Sequence, residues 1–169
     1  MLVAIAAARF VPSGGSSPAG ERTGAVVTRV VDGDTLHVRT AGGREVKVRL
    51  LGIDTPETHR PGTPVECGGP QASASMARIA PPGTRVRLAT DPTQDRVDRY
   101  GRMLAYVVLG DGKLVEDEQL ESGWATVYVF RGNPVERIAE FRRDERRAES
   151  AHRGVWAKCG GDFHSASAN

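Results

Sequence analysis

Five short β-prone segments constrain the fold of this chain more than any other feature of its sequence. After residue 23 come GAVVTRVV, DTLHVRT and EVKVRLLGI, and the tight-turn sequence AGGR separates the last two. Two further strands are predicted at TRVRLAT and RMLAYVVL. In EVKVRL alternate side chains share a face, which places Val46 and Leu50 on one side and Arg49 on the other. The pattern predicts a small structure of short, antiparallel-type strands.

Three helices are predicted between and after these strands. The first begins at Pro70, a favoured residue for the first helical position, and ends before Pro81 and Pro82. The second ends at Gly123, and the third covers residues 134–156 with a charged outer face. A helix inserted after the third of five short strands matches an OB-type barrel. We therefore predict an α+β protein, mainly β, with an OB-type five-stranded β-barrel and about three helices.

The 169 residues suit one domain with a tail at either end. Residues 1–23 are expected to be a signal-peptide remnant and a flexible linker, because MLVAIAAAR resembles an apolar signal core and a Pro-, Gly- and Ser-rich stretch follows. The folded domain is predicted over residues 24–160, with a flexible tail at 161–169. We expect a secreted or cell-envelope monomer, and a cytoplasmic protein with a frayed N-terminus is the alternative.

Composition excludes several classes of protein. No apolar run approaches the roughly 20 residues that span a bilayer, so no stable membrane association is predicted. The net charge of +2 does not indicate a polycation, although arginine, which suits bidentate binding of phosphate, is favoured over lysine. Cys67 and Cys159 are too few and too far apart for a thiolate zinc site or a redox pair. In an exported protein they could form one disulfide, and two unrelated thiols are the alternative.

Acidic residues gather where two predicted strands meet. Asp32 and Asp34 come before the second strand, in VVDGDTLHV, and Asp54 ends the third, in LLGIDTPET. The Asp-Gly-Asp sequence alone is typical of a turn. If the two strands pair about AGGR, however, Asp34 and Asp54 come to the same end of the sheet, where carboxylates and a backbone carbonyl suit Ca²⁺. Glu57, beyond Pro56, could bind a water molecule there.

A basic group joins this pattern at DRYGR, residues 98–102, where a Tyr-Gly turn leads into a strand. Arg102 is therefore predicted to be the first residue of that strand. A single arginine would be interpreted as a surface ion pair, but Arg49 and Arg102 together accompany three acids at strand ends. The histidines are scattered over strand, loop, helix and tail and are predicted to be surface residues: His37, His59, His152 and His164.

These motifs carry a family resemblance. VVDGDT, RLLGIDTPET, GPQAS, DRYGR, LAY and WATVYVF occur in the order and with the gaps of the staphylococcal nuclease (thermonuclease) family, which the chain resembles from about Gly24 to Trp156. The resemblance implies a Ca²⁺-dependent phosphodiesterase on an OB-type barrel. It would hydrolyse DNA and RNA by attack of a base-activated water and leave 3′-phosphate ends.

The resemblance also implies a metal site. The carboxylates of Asp34 and Asp54 and the backbone carbonyl of Thr55 would hold Ca²⁺, and Asp32 would be a supporting acid. The metal would act as a Lewis acid on a phosphoryl oxygen and position the attacking water.

Catalytic and binding roles follow from the same resemblance. Glu57 would be the general base, and Arg49 and Arg102 would grip the non-bridging phosphate oxygens, whose charge grows in the transition state. The residues expected to bind the rest of the substrate are Arg99, Tyr100, Tyr128 and Phe130.

The sequence departs from the family at several positions. Phe130 stands where a tyrosine is frequent, so that stacking on a base or sugar remains but a hydrogen bond is lost. The loop at residues 58–70 has lost the family's lysines, which weakens the prediction of non-specific affinity. Glu116 replaces a usual asparagine, which predicts a changed helix contact. Cys67 and Cys159 are additional to the best-known member and would tie this loop to the C-terminal helix.

Other functions fit less well. A non-catalytic nucleic-acid-binding module of this family would have lost its acids, whereas the catalytic set is complete here. A generic OB-fold binder of single strands needs exposed aromatic residues, and the aromatic content is 5%. A calcium-stabilised structural domain would not explain the two arginines. The sequence therefore favours a nuclease.

Overall fold

The computed structural model describes residues 22–58 and 64–164. Most of the predicted signal remnant and linker, at residues 1–21, lies outside the described residues, as do His59 and the end of the predicted tail at 165–169. Among the described residues, no helix is long and apolar enough to cross a membrane.

The described chain contains seven strands: β1 (Arg22–Val30), β2 (Thr35–Thr40), β3 (Glu45–Leu50), β4 (Ile53–Asp54), β5 (Arg85–Ala89), β6 (Met103–Val108) and β7 (Thr126–Val127). Five of them close into a barrel in the order β1-β2-β3-β6-β5. Four of the five pairings are antiparallel, and β3 pairs with β6 in parallel. This confirms the predicted OB-type α+β fold.

The barrel interior follows the alternation of the sequence. Val48 and Leu50 on β3 are fully enclosed, as are Leu36 and Val38 on β2, while Val46 nearer the hairpin turn is only partly buried. Burying one such side chain contributes about 1.5–3 kcal/mol, so the alternating apolar positions supply a closed core. That core fixes the strand ends from which acidic and basic side chains project.

The third predicted strand is interrupted before its end. The chain leaves β3 through a turn at Gly52, whose φ is +73°, and resumes as β4, which pairs with β7. A Cβ atom on Gly52 would lie 2.8 Å from the Val135 side chain and 2.9 Å from Phe141. Glycine is therefore needed for conformation and for space, and the turn leads from β3 into β4, which carries Asp54.

Four helices lie around the barrel in the described chain: α1 (Gly69–Ile79), α2 (Val115–Glu121), α3 (Ile138–Ser150) and α4 (Val155–Lys158). The prediction of one helix over residues 134–156 was wrong, because the chain turns between α3 and α4. His152 and Gly154 have positive φ there, at 47° and 54°. A Cβ atom on Gly154 would lie 2.2 Å from the Gly123 carbonyl oxygen, so the two backbones could not approach with a larger residue.

Glu116 connects α2 to the barrel. Its side chain is fully buried, and the Val107 N–H of β6 donates to Oε1 at 3.2 Å and to Oε2 at 3.3 Å. Burial raises the pKa of Glu116 well above its usual range. Burial therefore favours the neutral form of this carboxyl, which ties α2 to the barrel.

Cys67 and Cys159 form a disulfide across a separation of 92 residues. It joins the loop before α1 to the end of α4, and it is the single disulfide that the sequence predicts for an exported protein. In the chain-entropy model, closing a loop of this length stabilises the fold by about 4–5 kcal/mol. The bond therefore fixes the C-terminal segment against the loop that follows Glu57.

Candidate active site

The β2–β3 hairpin brings the two central acids together. Thr35 faces Arg49 across the pair, and the Leu50 N–H donates to the Asp34 carbonyl oxygen at 2.9 Å. Asp34 thus lies beside the end of β3, and Asp54 follows the turn after that strand. The pairing of β2 with β3 therefore brings Asp34 and Asp54 to the same end of the sheet, as the sequence predicts.

A cavity of about 150 Å³ lies at this end of the barrel. The sequence named seven of the side chains that line it, and they come from four separate segments of the chain: Asp32, Asp34, Arg49, Asp54, Thr55, Glu57 and Arg102. Glu66 and His164 also line the cavity, and the sequence did not identify either as a site residue.

Arg49 occupies the centre of the site. Its Nη2 donates to Asp54 Oδ1 at 2.8 Å and lies 3.1 Å from Asp34 Oδ2, while Nη1 donates to the carbonyl oxygens of Leu50 and Ile53 at 2.7 and 2.8 Å. Burial disfavours the charged guanidinium, but Asp34 and Asp54 outweigh that effect and raise the pKa of Arg49. The charge is therefore permanent and its fork is locked in one orientation.

Asp34 is held by hydroxyl groups as well as by Arg49. Thr35 Oγ1 donates to its Oδ1 at 2.8 Å, and Thr55 Oγ1 donates to its Oδ2 at 3.2 Å. The adjacent Gly33 is required for this packing, because a Cβ atom there would lie 2.6 Å from Thr55 Oγ1. The Asp-Gly-Asp sequence is thus a tightly packed segment that aims Asp34 at Thr55.

The cavity holds more negative charge than Arg49 neutralises. Burial and the nearby carboxylate of Asp34 raise the pKa of Asp32 to about 7. Burial also raises the pKa of Asp54, despite the opposing effect of Arg49. A further cation bound among these crowded carboxylates would stabilise their ionised forms.

The donor set fits a hard divalent cation with an incomplete protein shell. Asp34 and Asp54 offer carboxylate oxygens, and Thr55, which also lines the cavity, offers a backbone carbonyl. Within residues 22–58 and 64–164, no group of three or more His, Cys, Asp or Glu side chains is arranged to hold a metal ion. A cation here would have to take its remaining ligands from water, as hard cations commonly do.

Two hydrogen bonds with Glu66 hold the backbone of Glu57 in place. The Glu57 N–H donates to Glu66 Oε2 at 2.8 Å, and the Glu66 N–H donates to the Glu57 carbonyl oxygen at 3.0 Å. The Thr58 N–H donates to Glu57 Oε1 at 2.9 Å. Glu66 is 6% exposed. An acid in the sequence VECGG carries no sequence signal for this role, because its partners are defined by the fold.

Arg102 immediately precedes β6, and Asp98 orients it. Arg102 Nε donates to Asp98 Oδ2 at 2.7 Å, and its backbone N–H donates to Asp98 Oδ1 at 2.9 Å. Hydrogen bonds from Arg102 and Tyr100 outweigh the effect of burial and lower the pKa of Asp98. The DRYGR motif therefore contains both the arginine and the carboxylate that holds it.

The four proposed substrate-binding residues are exposed and separate from the cavity lining. The guanidinium carbons of Arg99 and Arg102 lie 4.7 and 5.4 Å from the centre of the Tyr100 ring, which is 67% exposed. Tyr128 and Phe130 form a second aromatic pair with ring centroids 6.5 Å apart. Exposed rings of this kind offer flat faces on which a base or sugar could stack.

His164 is exposed, as predicted, but it also belongs to the site. Its Nε2 lies 3.5 Å from Asp54 Oδ2, and its Nδ1 lies 3.3 Å from Glu66 Oε1. The sequence assigned it to a loose tail at 161–169, whereas Phe163 beside it is 2% exposed. A buried aromatic residue within a Gly- and Ser-rich end is the one signal that could have indicated a docked segment.

The family model of staphylococcal nuclease homologues matches residues 47–158. The chain is 37% identical to the thermonuclease of Staphylococcus hyicus over 147 aligned residues. The alignment covers 86% of this chain and 82% of that protein. A closed five-stranded barrel with acids and arginines at one end agrees with that match. The chain belongs to the staphylococcal nuclease homologue family.

Two relatives from Bacillus subtilis (strain 168) are longer. The chain is 41% identical to endonuclease YncB over 133 residues, which is 78% of this chain and 61% of that protein. It is 42% identical to the SPbeta prophage-derived endonuclease YokF over 133 residues, 78% of this chain and 43% of that protein. The chain thus spans between two-fifths and two-thirds of the length of these relatives.

Proposed function

We propose that this protein is a Ca²⁺-dependent nuclease that hydrolyses phosphodiester bonds of DNA and RNA and leaves 3′-phosphate ends. The observation that carries the proposal is the cavity of about 150 Å³ in which Arg49, Arg102 and Glu57 lie beside Asp34 and Asp54. The relatives named thermonuclease and endonuclease support the reaction class.

Asp34, Asp54 and the carbonyl of Thr55 would hold the metal ion. Bound there, Ca²⁺ would supply Lewis-acid polarisation of a phosphoryl oxygen and orient a water molecule. The raised pKa values of Asp32 and Asp54 support this assignment, because an added cation would relieve the repulsion among these carboxylates.

Arg49 and Arg102 would neutralise the phosphate before and during attack. A phosphodiester is an anion that repels nucleophiles, so fixed positive groups lower the barrier most when their orientation is set in advance. Two backbone carbonyls and Asp54 hold Arg49, and Asp98 holds Arg102. Each guanidinium is therefore oriented before the substrate arrives.

Glu57 would accept a proton from the attacking water. The water oxygen forms a bond to phosphorus, and the bond from phosphorus to the 5′ oxygen breaks. Glu57 holds the proton that the water loses, and the leaving 5′ oxygen gains a proton from solvent. The products are a 3′-phosphate and a 5′-hydroxyl. Because Glu66 fixes its backbone, Glu57 can keep one position relative to the phosphate.

Release of acid-soluble nucleotides from single-stranded DNA tests the proposal. We expect release in Ca²⁺ and none in excess chelator, with a loss of at least about 10²-fold in Glu57→Gln, since a general base contributes about 10²–10⁴-fold. Glu149→Gln, an exposed change on α3, is the matched control. Full activity in chelator or in Glu57→Gln would contradict the mechanism. Binding without cleavage would identify a non-catalytic binding module.

Secretion and a monomeric state are parts of the same proposal. The Cys67–Cys159 bond supports an oxidising compartment, because disulfides persist outside the cytosol. Gel filtration of the oxidised protein tests the monomer, and fractionation of producing cells tests export.

A further inference from the structure

A chain of contacts connects the backbone of Glu57 to the C-terminal segment. Glu66 Oε2 accepts from the Glu57 N–H at 2.8 Å, and Glu66 Oε1 lies 3.3 Å from His164 Nδ1. The other ring nitrogen of His164 lies 3.5 Å from Asp54 Oδ2. One imidazole therefore faces both the residue that holds Glu57 and an acid of the proposed metal site.

Three features hold His164 in this position. The disulfide joins Cys67, next to Glu66, to Cys159 at the start of the segment. Phe163 is 2% exposed, and its ring centroid lies 4.4 Å from that of His164. Gly161 lies so close to Trp156 that a Cβ atom would be 2.6 Å from the indole ring. The disulfide ties the segment of residues 159–164 to the residue next to Glu66, and the two aromatic contacts fix the local shape of that segment.

The tautomer of His164 sets the direction of its contact with Glu66. When the proton is on Nδ1, that nitrogen donates to Glu66 Oε1, because a carboxylate oxygen accepts. Glu66 uses one oxygen for the Glu57 N–H and presents the other to His164. Without His164, that oxygen would lose the contact that keeps the Glu66 side chain turned toward Glu57.

The geometry points to Glu66 and His164 as a pair of positioning residues for the nuclease reaction. Glu66 fixes the backbone that carries the general base, and His164 fixes Glu66 and Asp54 relative to each other. This inference rests on the proposed function, because it assigns roles around Glu57 and Asp54. Removing a partner that orients site residues in this way typically lowers activity or metal affinity by about 10–100-fold.

Graded substitutions separate the two contacts of each residue. Glu66→Ala removes both, whereas Glu66→Gln retains an amide oxygen that can accept from the Glu57 N–H. His164→Asn places an amide near the Nδ1 position and can still donate to Glu66, and His164→Ala cannot. His152→Asn is the matched control, because His152 is exposed and lies between α3 and α4.

We expect kcat to fall about 10–100-fold in Glu66→Ala and about 10-fold in His164→Ala, with KM changed less than threefold. Glu66→Gln and His164→Asn should each recover most of the lost kcat, and His152→Asn should equal the wild type. A loss of kcat that came only from lower stability would not be restored by Glu66→Gln and His164→Asn in this way. Full kcat in Glu66→Ala, or equal losses in His164→Ala and His164→Asn, would overturn the inference.

Hydrogen exchange of the Glu57 amide provides a readout that does not depend on catalysis. We expect Glu66→Ala to speed this exchange at least tenfold, and Glu66→Gln to leave it near the wild-type rate, in protein that remains folded by circular dichroism. An unchanged exchange rate in Glu66→Ala would contradict the inference. If the wild type itself cuts no nucleic acid, the proposed function fails, while the exchange experiment still decides whether Glu66 holds Glu57.

Discussion

Nη2 of Arg49 lies 2.8 Å from Oδ1 of Asp54 and within 3.1 Å of Oδ2 of Asp34. One guanidinium therefore links the two acids proposed to hold the metal, and its second nitrogen is held by two carbonyl oxygens. A lysine could not make these contacts together, because its ammonium is a single point of charge.

Arg49→Lys should therefore lower kcat by about 10²–10³-fold although it keeps the charge. Arg142→Lys, an exposed change on α3, should have no effect. Steady-state rates on single-stranded DNA measure both. A loss below threefold in Arg49→Lys would show that the fork geometry is unimportant.

Calcium should stabilise the folded protein through Asp34 and Asp54. A ligand that binds only the folded state contributes about 2.7 kcal/mol at a free concentration 100 times its Kd. We expect Tm to rise with Ca²⁺ concentration in the wild type and in Asp95→Asn, an exposed control, and to rise much less in Asp54→Asn. Equal Tm increases in all three proteins would place the calcium site elsewhere.

Glu116→Gln should make the protein more stable at pH 8. Burial raises the pKa of Glu116 well above its usual value of 4.5, so the folded state retains a proton that the unfolded state loses. The stability linked to this group is complete below about pH 4.5 and is lost, by at most about 1.4 kcal/mol per pH unit, as pH rises through the folded pKa.

Glutamine keeps the acceptor for the Val107 N–H and does not ionise. Urea unfolding from pH 4 to 9 should show the difference between Glu116→Gln and the wild type growing with pH. Parallel stability curves for the two proteins would show that Glu116 does not titrate as its burial requires.

The Cys67–Cys159 bond should contribute to stability and to catalysis. Cys67→Ser combined with Cys159→Ser should lower the free energy of unfolding by about 2–5 kcal/mol, and it should also lower kcat, because the bond holds Glu66 and the His164 segment. Urea unfolding and rate measurements with and without reductant test this. Reductant should reproduce both losses in the wild type and change nothing in the double variant. Unchanged kcat in the folded double variant would separate the bond from the site.

Tyr128→Ala and Phe130→Ala should raise KM by about tenfold each and leave kcat nearly unchanged. The two rings are exposed and tilted by 41° to each other, and stacking of a base on such a ring contributes about 1–3 kcal/mol. Val26→Ala, at an exposed position on β1, is the control. Unchanged KM values would exclude these rings from the substrate path.

The barrel could be predicted because the sequence patterns that define its strands and turns are local. Alternation within EVKVRL places Val48 and Leu50 in the core, and the turn residues in AGGR set the hairpin. The break in the last helix could not be predicted, because it depends on the close approach of Gly154 to Gly123, which lie 31 positions apart in the chain.

Sequence motifs identify the residues that are proposed to bind the metal ion and the phosphate. They do not identify the residues that orient those side chains. Asp98 lies four positions from Arg102 and could have been proposed as its partner. Glu66 and His164 are 98 positions apart, and their contact exists because a disulfide and a buried phenylalanine bring the chain end back to the cavity. Sequence patterns describe a strand or a turn and carry no record of such long-range contacts.

The masses of the products from one single-stranded DNA oligonucleotide, digested in Ca²⁺, test the central claim most directly. Water attack assisted by Glu57, with loss of the 5′ oxygen, predicts fragments that carry 3′-phosphates and 5′-hydroxyls. Fragments with 5′-phosphates and 3′-hydroxyls, or an intact oligonucleotide after prolonged incubation in Ca²⁺, would contradict the proposed chemistry of this cavity.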